Sequence, residues 1–283
     1  MTKTNQNFSI IVPTYQRHTE LCLCLNSLAH YFDPETRPTH GISLEVIVSD
    51  DARDPQLSEL LRQLYPWCRY TAGPANGPAA NRNHGAHQAI GDWLVFTDDD
   101  CLPQPGWIEA FAQHTDQYVV IEGRTSPVGI RTRADEECPI NEIGGYLWSC
   151  NFSMNREAFF LLGGFNENFP AAAMEDVELN LRINKAGLMR KFESDAAVLH
   201  PWRMQKGWKF ARAHSASVAK FVSLHPEQAA RYSLLSQFMK VIRSTKHILS
   251  EAVATGRYQG VTRKISLYCF SCALAWKATH RFR

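Results

Sequence analysis

Between Asp92 and Cys101 the chain reads D-W-L-V-F-T-D-D-D-C, an apolar strand running into three consecutive aspartates. One Asp or Gly would suffice to turn a buried strand. Three adjacent carboxylates repel one another, and when packed together at least one must take up a proton unless a cation neutralises them. Clustered hard oxygen donors select Mg²⁺ or Mn²⁺, ions that usually bridge protein carboxylates to substrate phosphates. Asp98, Asp99 and Asp100 thus point to metal-assisted chemistry on a phosphate-bearing substrate. A solvated acidic turn is the plainer alternative.

Such a cluster needs a frame. Apolar, β-rich runs at 8–12, 44–48, 70–72 and 93–97 alternate with helical patterns at 20–31, 55–64, 79–90 and 107–114. That alternation implies βαβ units and a parallel, doubly wound sheet. Right-handed crossovers then put the strands' C-terminal ends on one edge, where ligands bind. Pro13-Thr14-Tyr15, Ser49-Asp50-Asp51 and Asp98-Asp99-Asp100 follow the first, second and fourth strands, so three strand ends meet in one crevice. After the third strand, residues 73–83 open a helix carrying Asn76, Gly77 and Arg82. Backbone N–H groups at a helix start, with an arginine nearby, suit a phosphate or nucleotide. Gly77-Pro78 reads equally well as turn punctuation.

Beyond residue 119 the alternation breaks down. Residues 119–123 predict a strand, 129–143 a polar and charged mobile loop, and 145–154 a strand-like run. Residues 155–162 predict a helix stopped by Gly163-Gly164. A helix over 174–186 opens with Glu175-Asp176, and a short strand at 196–199 ends at His200. Residues 205–280 read as helices.

The motifs also have an order: F-S-I-I-V-P-T-Y, V-I-V-S-D-D, A-N-R-N-H-G, F-T-D-D-D, G-G-F-N-E-N-F, E-D-V-E-L-N-L-R and V-L-H-P. Each is weak alone, but the ordered set, from about residue 8 to 203, resembles the family 2 glycosyltransferases of GT-A fold. The resemblance implies an α/β fold class, with a Rossmann-like mixed, mainly parallel sheet flanked by helices. Residues 1–203 would be the catalytic domain, its nucleotide-sugar half about 1–101 and its acceptor half about 102–203, with 204–283 a basic helical C-terminal extension. The implied reaction moves a sugar from a nucleoside-diphosphate donor, a UDP-sugar being favoured, to a saccharide or lipid-linked acceptor hydroxyl. The family usually inverts the anomeric carbon and uses Mn²⁺ or Mg²⁺.

Carried over residue by residue, Pro13, Thr14, Tyr15 and Arg17 lie along the nucleotide, and Asp50 or Asp51 binds the base or ribose. Asn76 and Gly77 join the same site, and Arg82 matches the basic residue that reaches the nucleotide or diphosphate. The D-x-D motif maps to Asp98, Asp99 and Asp100. Its outer members face the site, with Asp100 in direct metal contact and His200 a further ligand; Asp99 stands where the family often has serine or alanine. The E-D pair matches the catalytic carboxylate, Asp176 as general base and Glu175 holding the acceptor or orienting Asp176. Trp148 and Asn151, within 146–151, would line the acceptor cleft.

Elementary chemistry points the same way. Departure of a nucleoside diphosphate builds negative charge that a divalent ion stabilises, and the attacking hydroxyl needs a base on the opposite face of the sugar. Plainer readings stand beside these. Acids in a helix's first turn are favoured by its dipole, His200 before Pro201 fits a surface histidine, and Trp107 fits core packing. An imidazole ligand suits Mn²⁺ better than Mg²⁺.

Bulk properties bound the rest. A 283-residue chain with 45% hydrophobic and 20% charged residues fits one large domain with an appendage. Residues 1–7 are polar, and no apolar run nears the roughly 20 residues that span a bilayer, so a cytoplasmic chain without a leader is expected. The eight cysteines, Cys22-x-Cys24 and Cys269-x-x-Cys272 included, read as small buried hydrophobes rather than a zinc site. Residues 206–283 hold 14 Lys/Arg against Glu227 and Glu251, a net of +12, while residues 1–205 carry a net of −10. That basic tail, with the apolar run 265–276 between Arg263-Lys264 and Lys277, fits peripheral contact with an anionic membrane, a packed core helix or a dimer contact. Nothing suggests nucleic-acid recognition. Two other functions fit less well. A sugar-1-phosphate nucleotidyltransferase would need a glycine-rich basic loop where P-T-Y-Q-R stands, and a non-catalytic nucleotide-sugar-binding protein would not need Asp176.

Overall fold

The structure is a computed structural model that describes residues 6–35 and 41–280. Part of the polar lead at 1–7, and Arg281 and Arg283 of the basic tail, lie outside the described residues. In chain order the elements begin with β1 (Gln6–Thr14), α1 (His18–Leu28), β2 (Ile42–Asp50), α2 (Pro55–Leu64), β3 (Cys68–Ala72), α3 (Pro78–Gln88) and β4 (Trp93–Thr97). There follow β5 (Leu102–Pro103), α4 (Trp107–Ala112), β6 (Val120–Val128), β7 (Glu136–Glu137), β8 (Asn151–Asn155), α5 (Arg156–Leu161) and α6 (Glu175–Lys185). Last come β9 (Arg190–Pro201), β10 (Arg203–Met204), α7 (Trp208–Leu224), α8 (Leu234–Thr255) and α9 (Val261–Thr279).

Two compact units form: 1–128 with 139–167 and 175–201, and 129–138 with 168–174 and 202–283. In the first, an eight-stranded sheet has the order β3-β2-β1-β4-β8-β6-β9-β5. The pairs β1/β2, β1/β4, β2/β3 and β6/β9 are parallel, while β8 runs antiparallel to both β4 and β6, and β5 to β9. The sheet is thus mixed and mainly parallel, with the reversal beginning at β8.

Alternation along the strands builds a core on each face, because successive side chains point to opposite sides. Phe8, Ile10, Val12, Val46, Val48 and Val95 pack with Leu21, Leu25, Trp107 and Phe111 on one face. Ile11, Ile47, Leu94 and Phe96 join Phe152, Phe159 and Phe165 on the other. Phe96 stacks on Phe152 with ring centres 4.9 Å apart and meets Phe165 edge-on at 5.3 Å. Fully burying one such side chain contributes about 1.5–3 kcal/mol. The helix over 55–64 starts where its sequence says it should: Asp54 caps it by accepting from Gln56 N at 2.8 Å, and Pro55 needs no donor there.

Three expectations change. The strand-like run 145–154 yields only β8 from residue 151, because Gly145 N and Leu147 N both donate to the buried Glu122 carboxylate, folding the chain into a turn with Leu147 at φ 48°. The short strand at 196–199 is the end of β9, which pairs with β6 from Arg190 onward despite a polar start. The loop 129–143 contains β7, and Asn141 bridges to Thr125.

In the second unit, β7 pairs antiparallel with β10. Asp135, fully buried, accepts from Arg133 Nε at 2.9 Å and Arg263 Nη1 at 2.9 Å. Helix α9 exceeds the expected 265–276 run and buries Leu267, Cys272 and Ala275, while Phe270 meets Trp208 edge-on at 5.0 Å. Ser233 caps α8 through Ser236 N, and Gly256 closes it in the left-handed conformation. No helix among the described residues is long and apolar enough to cross a membrane.

Candidate active site

Five chain segments of the first unit bring the expected residues together at the C-terminal ends of β1, β2, β3 and β4 and the end of β9. Thr14, last in β1, donates from Oγ1 to Asp99 at 2.8 Å. Arg17, at the start of α1, spans two of the three aspartates: Nη1 lies 2.8 Å from Asp99 and Nη2 2.7 Å from Asp100. Pro13 is buried beside them, and Tyr15 is exposed at the rim.

The third aspartate has its own arginine. Arg82, buried on α3, lies 2.6 Å from Asp98 through Nη2 and 3.5 Å from Glu175 through Nη1. Burial opposes its charge, but Asp98 and Glu175 outweigh that and hold its pKa above the ordinary value. Two guanidinium groups thus supply the positive charge that keeps the D-D-D carboxylates compatible with burial. A cut through either pair would strand a buried charge, at a cost of about 3–5 kcal/mol.

The acids after β2 serve the loops. Asp50 is fully buried and accepts from Ala52 N, Asp54 N and Tyr70 Oη. Asp51 accepts from Ala75 N at 2.7 Å and Gly77 N at 2.8 Å, which ties the β3–α3 loop to the β2 end. Asn76, exposed, stands on that loop. Gly77 takes φ 89°, ψ 174°, a region open to glycine alone, so its turn role is real.

On β9, His200 presents Nε2 to Asp100 Oδ1 at 3.6 Å, and its Nδ1 lies 2.8 Å from the Pro201 carbonyl. Burial lowers its pKa, so the ring is neutral at pH 7 and Nδ1 must carry the proton it donates to Pro201. The Nε2 lone pair then faces a carboxylate oxygen. Two acceptors turned toward each other fit a cation between them, and a donor pair with an imidazole nitrogen suits Mn²⁺ better than Mg²⁺. Donor atoms of Asp100, His200 and Cys101 all lie within 4.8 Å of one another. Cys101 fits such an ion poorly. Burial and Cys150 raise its pKa far above normal, and the neutral thiol is no hard ligand.

Glu175 and Asp176 open α6, with Met174 at φ 80° before them. Desolvation, then the Glu175 charge, push the Asp176 pKa up to about 7. Such a carboxyl can give or take a proton near neutral pH. Asp176 accepts from Val177 N at 2.7 Å.

The acceptor-side expectations divide. Trp148 stacks parallel on the half-exposed Tyr146 ring, centres 5.7 Å apart, and donates from Nε1 to the Ile140 carbonyl. The Asn151 amide is engaged within the fold: it accepts from Trp107 Nε1 and donates to the carbonyls of Arg124 and Ala196, which locks β8 to β6, β9 and α4. Trp107 is core, as the plainer reading had it.

The profile of the family described as Glycosyl transferase family 2 matches residues 9–159. The chain belongs to that family. Its relatives include the pre-mycofactocin glycosyltransferase of Mycobacterium tuberculosis H37Rv, 29% identical over 177 residues, covering 55% of this chain and 37% of that protein. This family 2 chain therefore spans well under half of that relative's length. Among solved structures, the mannosyltransferase PcManGT of Pyrobaculum calidifontis, in complex with GDP-Man and Mn²⁺, superposes with a TM-score of 0.61 at 16% identity, covering 98% and 88% of the two chains. Staphylococcus aureus TarS 1–349 in complex with UDP-GlcNAc gives 0.53 at 18% identity, covering 98% and 90%. The likeness shows a GT-A fold for this family 2 chain.

Three contributors to the site went unread in the sequence. Asn83 binds the Phe165 backbone in both directions and Glu167 at 2.7 Å, anchoring the G-G-F-N-E-N-F stretch beside α3. Asn81 holds β1 and β2 together through Thr14 O and Ser49. Glu122 fixes the loop that carries Tyr146 and Trp148. Asn83 sits inside A-N-R-N-H-G, and a polar residue on a helix face turned toward the sheet was the available signal.

Proposed function

We propose that this family 2 glycosyltransferase moves a sugar, with inversion, from a nucleoside-diphosphate donor, a UDP-sugar first among candidates, to a hydroxyl of a saccharide or lipid-linked acceptor. The reading rests on one observation: the carboxylate with a pKa near 7 stands next to the Arg82–Glu175 pair that leads to the D-D-D cluster. In the proposed reaction Asp176 takes the acceptor hydroxyl's proton as its oxygen bonds to the anomeric carbon. The bond from that carbon to the diphosphate oxygen breaks on the opposite face, and the nucleoside diphosphate leaves with the electron pair.

Arg82 holds Asp98 and Glu175 in place, and Glu175 orients Asp176 or the acceptor. Arg17, partly exposed, turns donors toward the diphosphate, while Thr14 keeps Asp99 directed inward. Pro13, Tyr15, Asn76 and Gly77 line the nucleotide. Asp51, less enclosed than Asp50, is the better partner for ribose or base. Trp148 with Tyr146 gives the acceptor an aromatic face. Asp100 and His200, with Asp98 beside them, would hold Mn²⁺ or Mg²⁺, whose charge stabilises the departing diphosphate. Residues 1–203 carry this chemistry and 204–283 extend it, the chain working in the cytoplasm and in part at its membrane surface.

Nucleoside diphosphate should be released from a donor when acceptor sugars are present, and Asp176→Asn should suppress release while leaving donor binding in place. Pyrophosphate released from a nucleoside triphosphate and a sugar 1-phosphate, with the nucleotide-sugar donor left intact, would instead favour a nucleotidyltransferase.

A further inference from the structure

Helix α8 has 22 residues, and only one side of it is covered: Gln237, Ile248 and Ala252 are buried. On another side Leu235, Phe238, Ile242, Leu249 and Val253 stand 72, 59, 46, 48 and 70% exposed. At about 100° per residue these five fall within a stripe about 60° wide. Single exposed apolar side chains are ordinary, whereas an aligned row marks an interaction surface. Exposed cations accompany it. Lys246 borders the stripe, and Arg243 and Lys240 follow on the same flank. The one carboxylate of α8, Glu251, lies away from the stripe and is held by Arg131 and Arg257.

We propose that this face of α8 docks on an anionic lipid surface, its apolar row entering the acyl boundary and its cations meeting headgroup phosphates. An amphipathic helix with a basic flank binds membranes in this way, lying in the interface rather than crossing it. A second copy of the chain is a poorer occupant. A two-fold contact would set Arg243 and Lys246 against the same cations, with no carboxylate on this face to meet them. The run 265–276, for which membrane contact, core packing and a dimer contact all fitted the sequence, buries Leu267, Cys272 and Ala275 in α9, and the exposed apolar row lies on α8 instead. The inference stands independently of the catalytic reading.

The test is co-sedimentation of the full chain with vesicles of phosphatidylcholine alone or mixed with phosphatidylglycerol, beside light scattering without lipid. Binding should require phosphatidylglycerol and fade as salt rises. Replacing Arg243 and Lys246 by Gln should weaken it about thirtyfold. Phe238→Ser, Ile242→Ser and Leu249→Ser together should abolish it; all three side chains are exposed, so the melting temperature checks that the fold persists. No sedimentation with either vesicle overturns the proposal, as does a triple variant that binds like the parent. A dimer that the triple variant converts to monomer also overturns it and assigns the face to a second copy.

Discussion

At the scale of single residues, Asp176 carries the sharpest consequences. A general base works only when ionised, and its pKa near 7 means that kcat/KM should fall as pH drops below about 7. Asp176→Asn should lower kcat about 10²–10⁴-fold with donor affinity kept; parallel loss of donor binding would move the residue into the donor site. Stability has the opposite sign. Folding raises this pKa from 3.8, so ionising Asp176 costs folding free energy, and the cost grows as pH rises from 3.8 toward 7. Above pH 7 the Asn variant should therefore melt higher than the parent while turning over more slowly. At the proposed cation site, Asp100→Ala and His200→Ala should each remove Mn²⁺-dependent binding of nucleoside diphosphate, read by calorimetry, with the circular dichroism spectrum unchanged. Retained binding in both would leave the metal to other residues.

Among the elements, the β3–α3 loop is the part most dependent on one backbone conformation. Gly77→Ala should destabilise the chain by about 1–3 kcal/mol, measured by urea unfolding, because φ 89° with ψ 174° excludes a Cβ. Loss of nucleotide affinity should accompany it, since Gly77 N is pinned to Asp51. Elements with local signals were legible. Helix α2 ran from 55 to 64 as its Asp54-Pro55 start dictated, and Trp93–Thr97 matched its apolar run. Thr14, Asp51 and the D-D-D cluster stand at the ends of β1, β2 and β4, as the strand alternation led one to expect, and Arg82 on α3 pairs with Asp98 and Glu175. What escaped reading depended on distant partners. Glu122 breaks the apolar run 145–154 into a turn through two backbone N–H groups more than twenty residues away. The first half of β9 is polar, yet it pairs with β6, so no alternation announced it. Nothing local to Asn151, placed in the acceptor cleft by resemblance, showed that Trp107, Arg124 and Ala196 would bond its amide.

For the whole molecule, charge sits apart by segment, and the second unit answers to its own ion pairs. Hydrogen bonds from Arg133, then from Arg263, hold the Asp135 carboxyl below its ordinary 3.8 against desolvation. A depressed pKa stabilises above the unfolded value and is lost as pH falls below it, so this unit should lose stability under acid, below about pH 4. Asp135→Asn should remove about 1–3 kcal/mol at pH 7, seen as an earlier thermal transition. The central claim concerns the first unit, and one measurement reaches it most directly. Purified chain is incubated with UDP- and GDP-sugars and candidate acceptors, with Mn²⁺ or with chelator, and the released nucleotide is identified. The account predicts nucleoside diphosphate, released with Mn²⁺ and not with chelator. Tight nucleotide-sugar binding with no turnover under any condition would contradict it.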